Sequence, residues 1–220
     1  MVSFLTWNIW FSDKQKNERT FQIMEQCHNL QVDIIAFQEV TEESLKIIQK
    51  NKKNYHLFGA PLSYGYDTVI LSRFPALNWS RYQLPHTQMG RNMLLVELTN
   101  NLFVGTFHLE SIFSHNSEKI KSDQLNYIEA ITPINTILMG DTNLKTEPVT
   151  NMQDIFIHIG SPLAYEYTYS GENVNVRNKR LNSRLDRIYQ KKENKVEEFF
   201  LIKDRPHPSD HFGVFCRLKI

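Results

Sequence analysis

Polar side chains that could do chemistry stand directly beside short apolar runs of the chain. The acids, amides and imidazoles in such positions are Asn8, Glu39, His108, Asp141, Asn143, Asp210 and His211. A single residue of this kind is ordinarily a helix cap or a turn former. Enzymes with α/β folds place their sites at the carboxyl ends of strands, so the whole set predicts one shared pocket.

The residue types limit the chemistry of that pocket. Carboxylate and amide oxygens suit a hard cation such as Mg²⁺, which keeps several waters and takes one or two protein carboxylates. The sequence has no HExxH or paired-cysteine zinc motif, no Walker-type glycine loop and no GxSxG elbow. These observations favour metal-assisted attack of water on a phosphate ester, with Asp141 as base, Asn143 orienting the water and a histidine facing the phosphoryl oxygens.

Strands and helices must bring these groups together. Short runs rich in β-branched and aromatic residues predict strands over 2–9, 32–37, 66–72, 92–98, 102–107, 135–140, 185–190 and 211–218. Apolar residues three and four apart predict helices over 17–30, 41–50 and 117–131. Early alternation followed by directly adjoining strands indicates an α/β chain with a mixed sheet. The region 145–182 has no clear period.

Composition sets the general class of protein. The chain has 220 residues, 41% of them hydrophobic, which is enough for a core without metals or disulfides. A net charge of +1 excludes a globally basic nucleic-acid binder, and two distant cysteines form no zinc or disulfide framework. No signal peptide or apolar run of membrane-spanning length is present, so we expect a soluble intracellular protein with no membrane association. The chain opens on its first strand, so we expect no targeting or other appended segment.

Six motifs occur along the chain in a recognisable order: T-W-N at 6–8, Q-E-V at 38–40, H-L-E-S at 108–111, G-D-T-N-L at 140–144, L-D-R-I-Y at 185–189 and S-D-H-F-G at 209–213. Together they resemble the endonuclease/exonuclease/phosphatase superfamily. M-x-R-N at 89–92 and Y-T-Y at 167–169 add similarity to its tyrosyl-DNA phosphodiesterase subfamily. The resemblance implies a four-layer α/β sandwich, with two packed mixed β-sheets flanked by helices, and a single catalytic domain over 1–220.

The resemblance also implies roles for individual residues. Glu39 would hold Mg²⁺, for which Mn²⁺ could substitute, with Asn8 beside it and Asp210 near the metal. Asp141 and Asn143 would activate the water. His211 and His108 would contact the phosphate, and Asp186 would orient His211. The substrate-binding residues would be Arg91, Asn92, Lys145 and Tyr169.

The implied activity is hydrolysis of a 5′-phosphotyrosyl link between protein and DNA, leaving a 5′-phosphate, as in DNA repair. The implied partner is the single-stranded end of DNA with a 5′-tyrosyl or peptide adduct, bound by a monomer. Two alternatives stay open. One is another nuclease or phosphatase of the superfamily, such as an abasic-site enzyme, an exonuclease or a deadenylase, and the other is a non-catalytic nucleic-acid-binding module.

Several positions depart from the subfamily pattern, among them Ile112 and Phe113, which follow H-L-E-S where Thr-Arg is usual. Trp10 stands where relatives commonly have an acid near the metal, Lys145 replaces an arginine, and Tyr169 replaces a tryptophan. Residues 177–195 also carry eight lysines and arginines against two acids, just after several tyrosines. We interpret this basic stretch as a surface for single-stranded nucleic acid.

Overall fold

The chain alternates strands with helices in its first half and consists mainly of strands in its second half. The structure is a computed structural model and describes residues 1–63, 65–99, 101–111, 116–160, 166–171 and 182–220. Its helices are α1 (Lys16–Asn29), α2 (Glu42–Asn51), α3 (Ser117–Ile131) and the short α4 (Ile155–His158). Its strands are β1 (Val2–Asn8), β2 (Ile34–Thr41), β3 (His56–Phe58), β4 (Tyr66–Ser72), β5 (Ala76–Gln83), β6 (Asn92–Leu98), β7 (Phe103–His108), β8 (Thr136–Asp141), β9 (Gln153–Asp154), β10 (Tyr169–Ser170), β11 (Asn182–Ser183), β12 (Asp186–Gln190), β13 (Lys195–Ile202) and β14 (Gly213–Lys219).

Two six-stranded sheets form the centre of the described part of the chain. The first has the strand order β13-β14-β1-β2-β4-β3, and the second has the order β5-β6-β7-β8-β12-β9. Each sheet is mixed, since β1 pairs in parallel with β2, and β7 pairs in parallel with β8, among antiparallel neighbours. The carboxyl ends of these four parallel strands define the edge of the sandwich at which the predicted polar residues lie.

The sheets pack face to face and helices cover their outer faces. Side chains such as Phe4, Ile70, Val104 and Met139 fill the space between the sheets. Helices α1 and α2 cover the first sheet through a second cluster, and α3 covers the other sheet through a third. The layers therefore run helix, sheet, sheet, helix, and the predicted four-layer sandwich is confirmed.

The helix bounds follow from local signals in the sequence. Thr41 caps α2: its side chain accepts a hydrogen bond from the Ser44 main chain, and the Ser44 side chain accepts one from the Thr41 main chain. The three predicted helices agree with α1, α2 and α3 to within one residue. None of the helices in the described ranges is long and apolar enough to cross a bilayer.

Several strands were absent from the sequence-based prediction. The longest are β5 and β13, which lie at the edges of the two sheets and leave many side chains partly or fully exposed. An edge strand with mixed polarity lacks the apolar run that signals a buried strand. The region 145–182, predicted to be irregular, contains β9, α4 and β10, and part of it lies outside the described residues.

Candidate active site

A pocket of about 420 Å³ opens where the two sheets meet at this edge. Both sheets contribute side chains to it. Its lining is Phe11, Glu39, Tyr66, Met89, Arg91, His108, Ser111, Asp141, Asn143, Lys145, Tyr169, Ser183, Leu185, Asp210 and His211. Asn8 and Asp186 are buried directly behind this lining and contact it through hydrogen bonds.

Strand register aligns three of the polar residues. His108 is the register partner of Asp141 in the parallel β7–β8 pair, and Asp141 is the partner of Asp186 in the antiparallel β8–β12 pair. The three residues therefore lie side by side on neighbouring strands. Strand register holds them there, so no flexible loop sets their spacing.

Hydrogen bonds from two directions fix the Asp141 carboxylate. Asn8 Nδ2 donates to its Oδ2 across 3.0 Å, and the Asn143 main chain donates to its Oδ1 across 2.8 Å. Burial favours the neutral acid, but His108, His211 and these donors outweigh it and hold the pKa of Asp141 below its usual value. Asp141 is therefore a deprotonated acceptor at neutral pH.

His211 forms a buried ion pair with Asp186. Its Nδ1 lies 2.8 Å from Asp186 Oδ2, and its Nε2 lies 3.9 Å from Asp141 Oδ2. Burial alone would favour the neutral ring, yet Asp186, followed by Asp210 and Asp141, raises the pKa of His211 well above its ordinary value. The result is a fixed imidazolium whose second nitrogen faces the pocket.

His108 has the opposite environment. Arg91 Nη1 lies 2.9 Å from its Nδ1, so this nitrogen accepts the hydrogen bond and the Nε2 hydrogen faces Asp141 at 3.5 Å. Burial and the Arg91 charge hold the pKa of His108 well below its ordinary value. The pocket thus contains one charged and one neutral imidazole.

Glu39 sits in a strained backbone conformation at the pocket. It lies in the irregular pairing of β2 with β4 and has a φ of 59°. Its Oε2 accepts a hydrogen bond of 2.9 Å from the Phe11 main chain. Burial and the Asp210 charge raise the pKa of Glu39 to about 7, and burial also raises the pKa of Asp210. A cation beside these two carboxylates would favour their charged forms and so oppose both shifts.

Asp141, Asp186 and His211 form another candidate metal group. Their ligand atoms lie within 4.8 Å of one another. His211 Nδ1 is already hydrogen-bonded to Asp186, however, and the ring is held in its protonated form. A cation there would have to displace the His211 proton and break its hydrogen bond to Asp186. Glu39 and Asp210 are therefore the better-suited carboxylates.

An aromatic wall that sequence reasoning missed closes one side of the pocket. Phe11 and Tyr66 stack with ring centroids 5.2 Å apart, and the Arg91 guanidinium lies 5.3 Å from the Tyr66 ring. Tyr66 opens β4 and Phe11 follows β1, so their positions look like ordinary strand residues in the sequence. Only their pairing across the sheet edge distinguishes them.

The predicted substrate-binding residues differ in their positions. Arg91, Lys145 and Tyr169 line the pocket, and the Tyr169 ring meets His211 edge to face at 5.0 Å. The structure does not bring Asn92 into the lining. Asn92 donates to Asp67 at 2.9 Å and accepts from Arg81, inside a buried network.

The basic stretch is only partly available to a ligand. Arg184 and Arg187 pair with Glu147 and Asp154, and Lys191 donates to main-chain carbonyls at the end of α3. These three residues of the stretch interpreted as a nucleic-acid surface already bond to internal acceptors. Arg177, Lys179 and Arg180 lie outside the described residues.

Trp10 does not occupy the pocket beside the acids. Its indole stacks over the Arg19 guanidinium, with Arg19 Cζ 4.6 Å from the ring centroid. Its main-chain nitrogen donates to Asn8 Oδ1 at 3.1 Å, and its φ is 63°. The replacement of an acid by this indole therefore does not fill the space in front of Glu39.

The sandwich and the edge site together define a class of metal-dependent phosphoesterases, and the chain belongs to the Endonuclease/Exonuclease/phosphatase family, whose sequence profile matches residues 5–211. It is similar to curated proteins named tyrosyl-DNA phosphodiesterase 2. The identity is 28% with the Gallus gallus protein, covering 99% of this chain and 67% of that one, and 29% with the Homo sapiens protein, covering 100% and 68%.

Solved structures share the fold over the whole chain. D. rerio TDP2 complexed with single strand DNA product superposes with a TM-score of 0.85 at 23% identity, covering 100% of this chain and 99% of that one. Truncated Caenorhabditis elegans TDP2 gives 0.83 at 22% identity, covering 100% and 98%.

Proposed function

We propose that this protein is a metal-dependent phosphodiesterase that hydrolyses the 5′-phosphotyrosyl link between DNA and a protein or peptide, leaving a 5′-phosphate. The observation that carries the proposal is the convergence of Asp141 and His211, the latter hydrogen-bonded to Asp186, on one pocket, in a chain similar over its length to curated tyrosyl-DNA phosphodiesterases. The similar D. rerio protein was solved with a single strand DNA product. We extend that partner to this chain.

Members of this family are generally divalent-metal dependent, and we assign Mg²⁺ to Glu39 and Asp210, with Asn8 beside them. The raised pKa of Glu39 supports this assignment, since burial and the neighbouring Asp210 charge disfavour its carboxylate form and a bound cation would favour it. When bound, such a cation supplies Lewis-acid stabilisation of phosphoryl charge. Mn²⁺ has the same preference for oxygen ligands and should substitute.

Asp141 takes the role of general base. Its carboxylate is fixed by Asn8 and by the Asn143 main chain, so it can accept the proton of a water that attacks phosphorus opposite the leaving oxygen. The backbone of Asn143 is itself fixed, because Lys121 donates to its carbonyl at 2.8 Å and its side chain donates to the Leu109 carbonyl. The attacking water thus meets an acceptor of fixed orientation.

His211 stabilises the charge that develops on the phosphoryl oxygens. Asp186 keeps the ring protonated and fixes its angle, which leaves Nε2–H as a donor toward the pocket. His108 adds a neutral donor on the other side of Asp141. The leaving tyrosine oxygen departs as a phenolate, so the reaction needs no strong general acid.

The walls of the pocket suit the two halves of such a substrate. We assign the phosphate-rich strand to Lys145 and Tyr169, which provide a cation and an aromatic face. We assign the tyrosyl ring to the wall of Phe11, Tyr66 and Arg91. We further propose that residues 1–220 act as one monomeric catalytic domain, which the shared core between the sheets supports.

The test is cleavage of a 5′-phosphotyrosyl single-stranded oligonucleotide, with Mg²⁺ or with EDTA. The variants are Asp141→Asn and Glu39→Gln, and Glu198→Gln, a partly exposed acid on β13, is the matched control. We expect Mg²⁺-dependent tyrosine release that both site variants lose and the control keeps. Cleavage of an unmodified strand in place of the tyrosyl strand would instead support a general nuclease, and an intact tyrosyl strand would refute the proposal.

A further inference from the structure

Arg19 uses its whole guanidinium group to hold main-chain carbonyls near the site. It lies in the first turns of α1 and is only 7% exposed. Each of the five guanidinium hydrogens of arginine can donate one bond. Five bonds of 2.7–3.2 Å are formed, to the carbonyl oxygens of Lys14, Ile9, Pro208, Trp10 and Ser12.

These carbonyls belong to two segments that are far apart in the sequence. Four lie in residues 9–14, which connect β1 to α1, and the fifth directly precedes Ser209. The connection contains Trp10 with a positive φ of 63°, an unfavourable conformation for a tryptophan. The cation–π stack of Trp10 on Arg19 and the hydrogen bonds compensate for that conformation.

Each tethered segment in turn holds a carboxylate of the assigned metal site. The first segment donates from the Phe11 main chain to Glu39 at 2.9 Å. The second leads through Ser209 to Asp210, and Ser209 Oγ donates to the Asn8 carbonyl at 2.7 Å. Arg19 therefore bonds to the segments that hold both carboxylates, but it does not itself line the pocket.

The charge of Arg19 acts on the same two groups. Burial lowers the pKa of Arg19, and the acids that oppose this effect are Asp210 and Glu39. A buried cation behind two adjacent carboxylates reduces their mutual repulsion. The residue thus combines a mechanical and an electrostatic effect on one pair of side chains.

We propose that Arg19 is a positioning residue for the metal site, setting the separation of Glu39 and Asp210 by tying residues 9–14 to Pro208. The inference rests on the proposed function, because it concerns the cation assigned to these carboxylates. It differs from a general stabilising role in one respect: loss of Arg19 should weaken divalent-metal binding in protein that is still folded.

The experiment compares Arg19→Met and Arg19→Lys with Arg217→Met. Arg217 is a suitable control, since it also stacks on a ring and bonds a single acid, Glu198, on the outer part of the first sheet. The primary readout is the Mn²⁺ dissociation constant from calorimetry, with folding checked by circular dichroism. The second readout is the Mg²⁺ dependence of tyrosine release.

We expect Arg19→Met to raise the Mn²⁺ dissociation constant about tenfold or more, which is the scale seen when partners of metal ligands are removed. Arg19→Lys keeps the charge but loses most of the tethers, so its effect should be intermediate. The rate constant at saturating metal should stay within about threefold, because Arg19 touches no reacting group.

An unchanged Mn²⁺ dissociation constant in either folded Arg19 variant would overturn the proposal. Should Arg19→Met not fold, the decision rests on Arg19→Lys. If wild-type protein releases no tyrosine, the proposed function fails, whereas the calorimetric comparison still decides the role of Arg19.

Discussion

The Asp186–His211 pair offers the sharpest test of the chemistry, through the substitution Asp186→Asn. The pair is buried and joined at 2.8 Å, and the substitution removes the charge while keeping the size of the side chain. A hydrogen bond to a charged group contributes about 1.5–3 kcal/mol, which corresponds to a loss of about 10- to 150-fold in kcat/KM. The full loss applies if the bond acts in the transition state.

The substitution should also change the pH dependence. Asp186 raises the pKa of His211, so the imidazolium persists at higher pH in the wild type than it would without this carboxylate. Removing the carboxylate lowers the pKa of His211 relative to the wild type. The decline of kcat/KM with rising pH should therefore begin at lower pH in the variant.

The assay is tyrosine release from a 5′-phosphotyrosyl oligonucleotide at saturating Mg²⁺, measured across the pH range in which the wild type folds. Asp154→Asn is the matched control, since Asp154 is a buried acid of the same sheet that pairs with Arg184 at 2.8 Å and lies outside the pocket. A high-pH decline at the wild-type position, or a rate loss no larger than in the control, would refute the assigned role of His211.

Three further predictions concern the metal, the sheet and the substrate. Since the pKa of Glu39 is about 7 without metal, Mg²⁺ binding at about pH 6 should release a proton, and the affinity for Mg²⁺ should weaken as the pH falls. Calorimetry in buffers of different ionisation enthalpy measures the number of protons released. Binding without proton release would contradict the prediction. Gly140→Ala should lower the free energy of unfolding in urea by about 1–3 kcal/mol, because its Cβ would lie 2.0 Å from a main-chain oxygen of β7. Gly65→Ala, which meets nothing within 4 Å, should change it by less than about 0.5 kcal/mol. Lys145→Gln should raise KM and reduce the slope of log binding constant against log salt concentration, for single-stranded DNA, by about 0.7. Lys50→Gln, at an exposed lysine of α2, is the control, and equal slopes for the two variants would argue against DNA contact by Lys145.

The sequence was most informative where burial is complete. Strands such as β1, β2 and β8 are almost wholly buried and rich in apolar residues, and their positions could be predicted because both faces of each are covered. Edge strands β5 and β13 could not, because one side of each faces solvent and the polarity pattern is mixed. The hydrophobic pattern of the sequence therefore predicts the central strands of a sheet better than its edge strands.

The residues of the site likewise include some that the sequence could predict and some that it could not. Asn8, His108 and Asp141 end strands, and strand direction alone predicts that they share an edge. Arg19 gave no such signal, because its importance lies in a contact with Pro208 across most of the chain. Counting charges in the sequence also could not show that Arg184 is paired, because a sequence does not reveal that Glu147 lies within ion-pair distance.

The Asn8–Asp141 hydrogen bond joins the two sheets, and this has a consequence for folding. Asn8 ends a strand of one sheet and Asp141 ends a strand of the other, while His211 adjoins the first sheet and its partner Asp186 belongs to the second. Neither sheet alone contains the complete set of proposed reacting groups. In a refolding experiment, the return of activity would therefore report the docking of the two sheets, and a chain with only one sheet formed would be inert toward DNA.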